Sequence, residues 1–225
     1  MRKYTFTQGY LKNPYSSVLV TAGNTRVIVS LTLEMKVPPH AGPDSGWLTA
    51  EYSLMPGSTG TRSARERTKV SGRTAEIQRI IGRSLRMAVD LKKMPGISML
   101  IDCDVLDADG GTRTASINGG MMAVAMACRK LVDEGVLKES PLKRWIGAIS
   151  AGVVDGRKVV DLNYELDSRA DADFNFVFCE NGNIIEVQGT SERETVPVER
   201  FMELLDSSRE CVMSLINEIK TTAGF

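Results

Sequence analysis

The segment from about Ala115 to Glu134 reads as a helix that is apolar nearly all round, with Ile117, Met121, Met122, Val124, Met126, Leu131 and Val132 leaving no continuous polar stripe. Such a helix has no face to offer water and must lie buried at the centre of the molecule. Gly135 follows as a C-terminal cap, the position where a left-handed residue ends a helix most readily. The many methionines of this stretch are core filler, since the unbranched thioether fits irregular gaps.

Around this central helix the chain reads as a mixture of hairpins and helices. Residues 16 to 35 are rich in Val, Ile, Leu and Thr on both sides of Ala22-Gly23-Asn24-Thr25, the pattern of a β-hairpin. Residues 36 to 72 hold Pro38, Pro39, Pro43 and Pro56 and form long loops, interrupted by a strand candidate from Trp47 to Leu54. From Arg73 to Lys93, Ile77, Ile80, Ile81, Leu85, Ala88 and Val89 recur at helical spacing, with Arg79, Arg83 and Arg86 opposite and Met94-Pro95-Gly96 as the stop. Ile97, Met99, Ile101, Cys103 and Val105 then alternate as in a strand, with Asp102 and Asp104 on its other face. Two further hairpins turn at Asp155-Gly156 and Asn181-Gly182, both favoured type I′ pairs, and an amphipathic helix begins near Pro197. Hairpins with helices between them predict a layered α/β (α+β) fold and not a regular β-α-β alternation. At 225 residues and 42% hydrophobic, the chain, residues 1–225, is expected to form a single domain.

Composition removes several classes of function. His40 is the only histidine, so multi-histidine zinc sites are impossible and a Ser-His-Asp triad would rest on one residue. Cys103, Cys128, Cys179 and Cys211 are widely spaced, without a C-x-x-C pair, and read as buried thiols. No apolar run is long enough to span a bilayer and the N-terminus has no signal-peptide core, which gives a cytoplasmic expectation and no membrane partner. The 28 basic and 28 acidic residues cancel overall, but Arg62, Arg65, Arg67, Lys69, Arg73, Arg79, Arg83 and Arg86 face only Glu66 and Glu76 within their stretch. That excess suits either a phosphate-rich ligand or a solvated helix face with its loop.

Three places can carry chemistry. Asp107-Ala-Asp-Gly-Gly-Thr-Arg-Thr-Ala-Ser116 runs from a strand through two glycines into the buried helix. Glycines admit a ligand to the backbone, N–H groups at the helix start attract an anion, Gly111, Thr112, Thr114 and Ser116 offer backbone and hydroxyl contacts, and Arg113 adds a planar fork. An ordinary glycine turn with a Thr or Ser cap fits the same letters. Arg73 begins the other long helix and serves the same anion if the two helix starts converge. Asp167, Asp171 and Asp173 cluster in the loop between the last hairpins, where carboxylates either bind a divalent cation, donate a proton, or are merely solvated.

Taken with Gly46-Trp-Leu-Thr-Ala-Glu-Tyr52, Gly72-Arg-Thr-Ala-Glu-Ile-Gln-Arg79, Ile101-Asp-Cys-Asp-Val-Leu106 and Ile185-Glu-Val-Gln-Gly-Thr190, these blocks make the chain resemble the bacterial ribonuclease PH family over nearly its whole length. The resemblance implies a two-layer α/β fold with a left-handed β-α-β crossover, a homo-oligomeric ring (a hexamer, as a trimer of dimers), and phosphate-dependent 3′–5′ removal of nucleotides from tRNA precursors and other RNA. It implies that inorganic phosphate is co-substrate, held by Arg73, Arg113, Thr112 and the adjoining backbone. Asp167 and Asp173 would fill the positions of the essential carboxylates, Asp173 as general acid and both as Mg2+ ligands. Arg62 and Arg65, with Arg67, would grip the tRNA 3′ end. The family's arginine after the Met-Pro turn is Gly57 here, the loop from Arg65 to Arg73 is short, and Arg2 aligns with the last arginine of the family's N-terminal basic segment. The expectation from those departures is weaker or redistributed tRNA contact, with impaired RNA binding or assembly if the chain begins at Met1. A catalytically weak ring subunit that only binds RNA is the alternative reading.

Overall fold

The computed structural model describes residues 1–42 and 44–225; Pro43 lies outside them. Strands β1 (Tyr4–Gln8), β2 (Ser16–Ala22), β3 (Thr25–Glu34), β4 (Trp47–Leu54) and β5 (Ser98–Asp107) form a sheet in the order β1-β2-β3-β5-β4. Its neighbours are antiparallel except β4 and β5, which run parallel with Trp47 opposite Ser98. Helix α1 (Gly72–Arg86) makes the crossover that a parallel pair requires. The second sheet, in the order β7-β6-β8-β9, is antiparallel throughout and comprises β6 (Ile146–Val154), β7 (Arg157–Val160), β8 (Ala172–Cys179) and β9 (Ile184–Ser191). A one-turn helix α3 (Tyr164–Asp167) links β7 to β8, and α4 (Val198–Ala223) closes the chain.

Helix α2 (Thr112–Asp133) is central, as its composition demands, with Thr114 to Ala125 entirely buried. Each sheet with its helical cover makes a two-layer α/β unit, and α2 is shared between them. Toward the first sheet, Ser16 Oγ donates to the Ala123 carbonyl at 2.8 Å, and Gly119 lets the helix approach so closely that a Cβ there would sit 2.4 Å from Val20 Cγ2. Toward the second, buried Asn118 donates from Nδ2 to the Ala148 carbonyl at 2.9 Å and accepts from the Ala148 N–H at 2.8 Å. Strand β7 pairs only from Ala151 onward, so Asn118 completes the sheet where its edge strand has ended. The far side of β6 meets α4, whose Val212 and Ile216 pack over Gly147. One cluster of buried side chains runs from Tyr4 through α1, α2 and both sheets to Ala223.

Several elements differ from the periodic reading. Helix α1 stops at Arg86, well before Lys93, because Val89 bridges Leu142 and the Asp90 N–H donates to the Pro141 carbonyl at 2.8 Å. Arg86 turns back from its solvated row to donate to the Leu48 carbonyl at 3.0 Å over the Trp47 ring. Strand β7 ends at Val160, since Asp161 takes a left-handed φ of 70°. The Asp155-Gly156 turn has positive φ at both residues, as type I′ requires. The second hairpin is different: only Gly182 has positive φ, its N–H bonds the Cys179 carbonyl, and Asn183 follows, so a type I turn with a bulge replaces type I′. Strand β1 escapes periodicity because only Tyr4 and Phe6 mark its buried face. All four cysteines are free, with Cys211 only half-buried. Among the described residues no helix is long and apolar enough to cross a membrane.

Candidate active site

The starts of α1 and α2, the helix α3, the first residues of β8 and the last of β9 meet at one place. Gly110 and Gly111 turn the chain with φ of 73° and 67°, and no side chain caps α2. A Cβ on Gly110 would lie 2.6 Å from the Asn163 carbonyl carbon, so the turn presses against the approach to α3. Thr112 sits half-buried at the mouth, its hydroxyl 2.8 Å from that of Tyr52 on β4. Arg113, on the same turn of helix, lines a cavity of about 350 Å3 together with Glu76, Asp173, Asn175, Gln188 and Thr190.

The two further hydroxyls expected at the phosphate, those of Thr114 and Ser116, lie deeper in the helix than Thr112. Both are fully buried and donate back to the Gly111 and Thr112 carbonyls at 2.9 and 2.8 Å. The start of α1 is partly capped: Ser71 Oγ accepts from the Thr74 N–H at 3.2 Å, and the Glu66 carboxylate takes the Ser71 N–H and the Thr74 hydroxyl, each at 3.1 Å. What α1 contributes is the exposed guanidinium of Arg73, whose charge is felt at both Tyr52 and Asp167.

The aspartates are ordered and not loose in a loop. Asp167 ends α3, whose start is capped by Asn163 Oδ1 accepting from the Leu166 N–H at 3.0 Å. Asp173 is the second residue of β8, paired with Gly152 on one side and Thr190 on the other. Partial burial disfavours the charged form of both and raises both from the ordinary aspartate value. Asp167 keeps access to solvent, and Arg113 and Arg73 pull it back down. At Asp173 the charges of Asp167 and Glu192 add to the rise, and Arg113 opposes it. Asp171 instead faces the β6–β7 turn, where it accepts from the Gly156 N–H at 3.2 Å.

Arg62, Arg65 and Arg67 lie in the exposed segment between β4 and α1, and none of them, nor Arg73 or Arg113, is in an ion pair among the described residues. Arg65 comes within electrostatic reach of Asp104, so the segment runs near the open face of β5. Sequence reasoning missed Tyr52, Glu76, Glu192 and the Arg2–Asp161 pair. Tyr52, Glu192 and the Arg2–Asp161 pair reach the site from distant parts of the chain, whereas Glu76 lies one helical turn after Arg73 and read only as a surface charge.

A model of the 3′ exoribonuclease family, domain 1, matches residues 1–130, and domain 2 of the same family matches residues 145–211. The chain belongs to the ribonuclease PH family. It is 47% identical over 227 residues to Ribonuclease PH of Syntrophomonas wolfei, covering all of this chain and 95% of that one. Against Ribonuclease PH of Bacillus pumilus the identity is 45% over 229 residues, covering 100% and 94%. Solved structures share the fold at lower identity. The Archaeoglobus fulgidus exosome with RNA bound to the active site superposes with a TM-score of 0.82 at 23% identity, over 97% of this chain and 89% of that chain. Rice Rrp46 gives 0.79 at 18% identity, over 99% and 95%.

Proposed function

We propose that Arg73, Arg113, Thr112 and the backbone around Gly111 hold inorganic phosphate, and that Asp173 serves as general acid beside Asp167. The activity is that of a phosphorolytic 3′–5′ exoribonuclease, a nucleotidyltransferase acting on RNA. The observation that carries the residue assignment is the shared cavity of Arg113 and Asp173, which faces a cation suited to the nucleophile toward a carboxyl suited to the leaving group.

In this reading an oxygen of bound phosphate forms a bond to the terminal phosphorus while the bond from that phosphorus to the 3′ oxygen breaks. Asp173 gives the departing oxygen its proton, and a nucleoside diphosphate leaves RNA one residue shorter. Arg73 and Arg113 offset the negative charge of two phosphates brought together. The upward shift of Asp173 favours its protonated, donor-competent form.

Asp167 and Asp173 also suit Mg2+, which takes oxygen ligands and is commonly bound through one or two carboxylates plus substrate phosphate. Beyond its burial, Asp173 is raised by the charges of Asp167 and Glu192, a pattern that a cation relieves. Such an ion would add Lewis-acid charge at the phosphates. Arg62, Arg65 and Arg67 are assigned to the tRNA 3′ end as phosphate contacts that position without reading bases. We assign the whole chain to one ribonuclease PH domain, working in the cytoplasm as a hexameric ring. An open groove lined by Val37, Pro38, Pro39, Trp47 and Leu100, with Glu34, Lys36, His40, Thr49 and Ser98 around them, is a surface such a ring would bury.

The test is incubation with a 3′-extended tRNA precursor. Nucleoside diphosphates released only when phosphate is present support the reading. Monophosphates formed regardless of phosphate would overturn it, and a particle mass other than six chains would overturn the ring.

A further inference from the structure

Arg2 ties together two segments that carry opposite halves of the site. Its main-chain N–H donates to Asp161 Oδ2 and its Nη2 to Oδ1, both at 2.6 Å. Nη2 also reaches the Leu162 carbonyl at 3.1 Å, while Nη1 donates to the carbonyls of Asp109 at 2.8 Å and Gly110 at 3.4 Å. One planar fork therefore holds the turn that leads into α2 and the residues that lead into α3. Thr25 fixes the same turn from β3, its hydroxyl donating to the Gly110 carbonyl at 2.7 Å and accepting from the Asp109 N–H at 3.0 Å. The Tyr164 N–H reaches Asp109 Oδ1 at 3.3 Å, a second stitch between the two segments.

The environment makes this a brace and not a ligand site. The Asp161 side chain is 1% exposed and that of Arg2 16%, and Asp161 holds its left-handed backbone at the end of β7 to meet the arginine. Both Nη atoms are already engaged by Asp161 and three carbonyls, and Nε is buried without a partner among the described residues, closed off from solvent. Little of this guanidinium remains for a phosphate, whereas Arg73 and Arg113 have no ion-pair partner among the described residues. A guanidinium can donate in several fixed directions at once; an ammonium on a flexible stem cannot span the same set.

We propose that Arg2 and Asp161 are positioning residues that fix the separation between the phosphate-holding turn at Gly110–Arg113 and the carboxylate of Asp167 on α3. The proposal rests on the assignment of those two elements to phosphate and to acid chemistry. A slack brace displaces bound phosphate from its line of attack without touching the arginines that recognise RNA.

The experiment compares wild type, Arg2→Lys, Asp161→Asn and the double variant in full-length protein, with Lys93→Ala, which removes an exposed ion pair to Glu139, as control. Steady-state kinetics are measured separately in phosphate and in a short RNA, below the melting temperature of every variant. Arg2→Lys and Asp161→Asn should each raise the phosphate KM and lower kcat by about tenfold, with the RNA KM within about twofold of wild type. The double variant should be little worse than either single one, because both remove the same brace. Unchanged phosphate KM in folded single variants overturns the proposal. So does a loss shared equally by phosphate and RNA, since that marks general loosening. If Arg2→Lys does not fold, Asp161→Asn carries the same test alone. Failure of the functional reading is separately visible, as wild type would then turn over RNA without phosphate.

Discussion

Arg113, in the first turn of α2, and Asp173, at the start of β8, face one cavity of about 350 Å3, and the arginine's charge is felt at the carboxylate. Removing the arginine should leave the acid in place and the nucleophile poorly held. Arg113→Ala is expected to raise the phosphate KM by at least about tenfold, the worth of a charge-assisted hydrogen bond of roughly 1.5–3 kcal/mol. Initial rates over a phosphate titration check this, and an unchanged KM would remove Arg113 from the phosphate site.

Asp173→Asn keeps shape and removes the acidic proton. Turnover should fall by about 10²–10⁴-fold, the usual worth of a positioned acid, with RNA still bound. Filter binding alongside single-turnover rates separates the two, and unchanged turnover excludes the general-acid role.

Arg62 stands exposed between β4 and α1, away from the Arg113 cavity lining. Arg62→Ala should weaken tRNA binding and flatten its salt dependence by the loss of about one phosphate contact, leaving cleavage of short RNA nearly intact. Equal losses on both substrates would contradict the separation of grip from chemistry.

The charge of Asp167 raises Asp173, so Asp167→Asn should lower the pH at which Asp173 titrates, observable through its carboxyl carbon by NMR. The sign for stability follows. With the folded value above the unfolded one, the folded chain keeps a proton that the unfolded chain has lost, so stability falls as pH rises through the folded value. Asp167→Asn narrows that window, and denaturation midpoints on either side of it should draw closer together. A Asp173 titration that stays put would show that the two carboxylates do not interact.

Asn118 satisfies both backbone groups of Ala148 from within the core. Asn118→Ala should destabilise the fold by about 1–3 kcal/mol for each group left unpaired. Urea denaturation measures it. A loss below that range would mean that the end of β6 finds another partner.

Much of the fold was legible because its strongest signals are local. The apolar helix at α2, the alternation of Met99, Ile101, Cys103 and Val105, and the Asp155-Gly156 turn each follow from near-neighbour chemistry. Errors fell where distant segments intervene. Ala88 and Val89 continue the helical period of α1, yet the chain at Pro141–Arg144 takes their backbone bonds.

The same division holds at the site. The letters Gly110-Gly111-Thr112-Arg113 allow an anion-attracting helix start as well as an ordinary capped turn, because glycine permits the left-handed turn and the first N–H groups of a helix lack partners. The family blocks add the identity of the substrate. That Arg113 meets Asp173, and that Arg2 joins Asp161 across the glycine turn, was decided only by the tertiary structure. A periodic pattern reports which face of an element is buried. It carries no information on which distant residue lies opposite, and that pairing is fixed by two sheets closing on one shared helix.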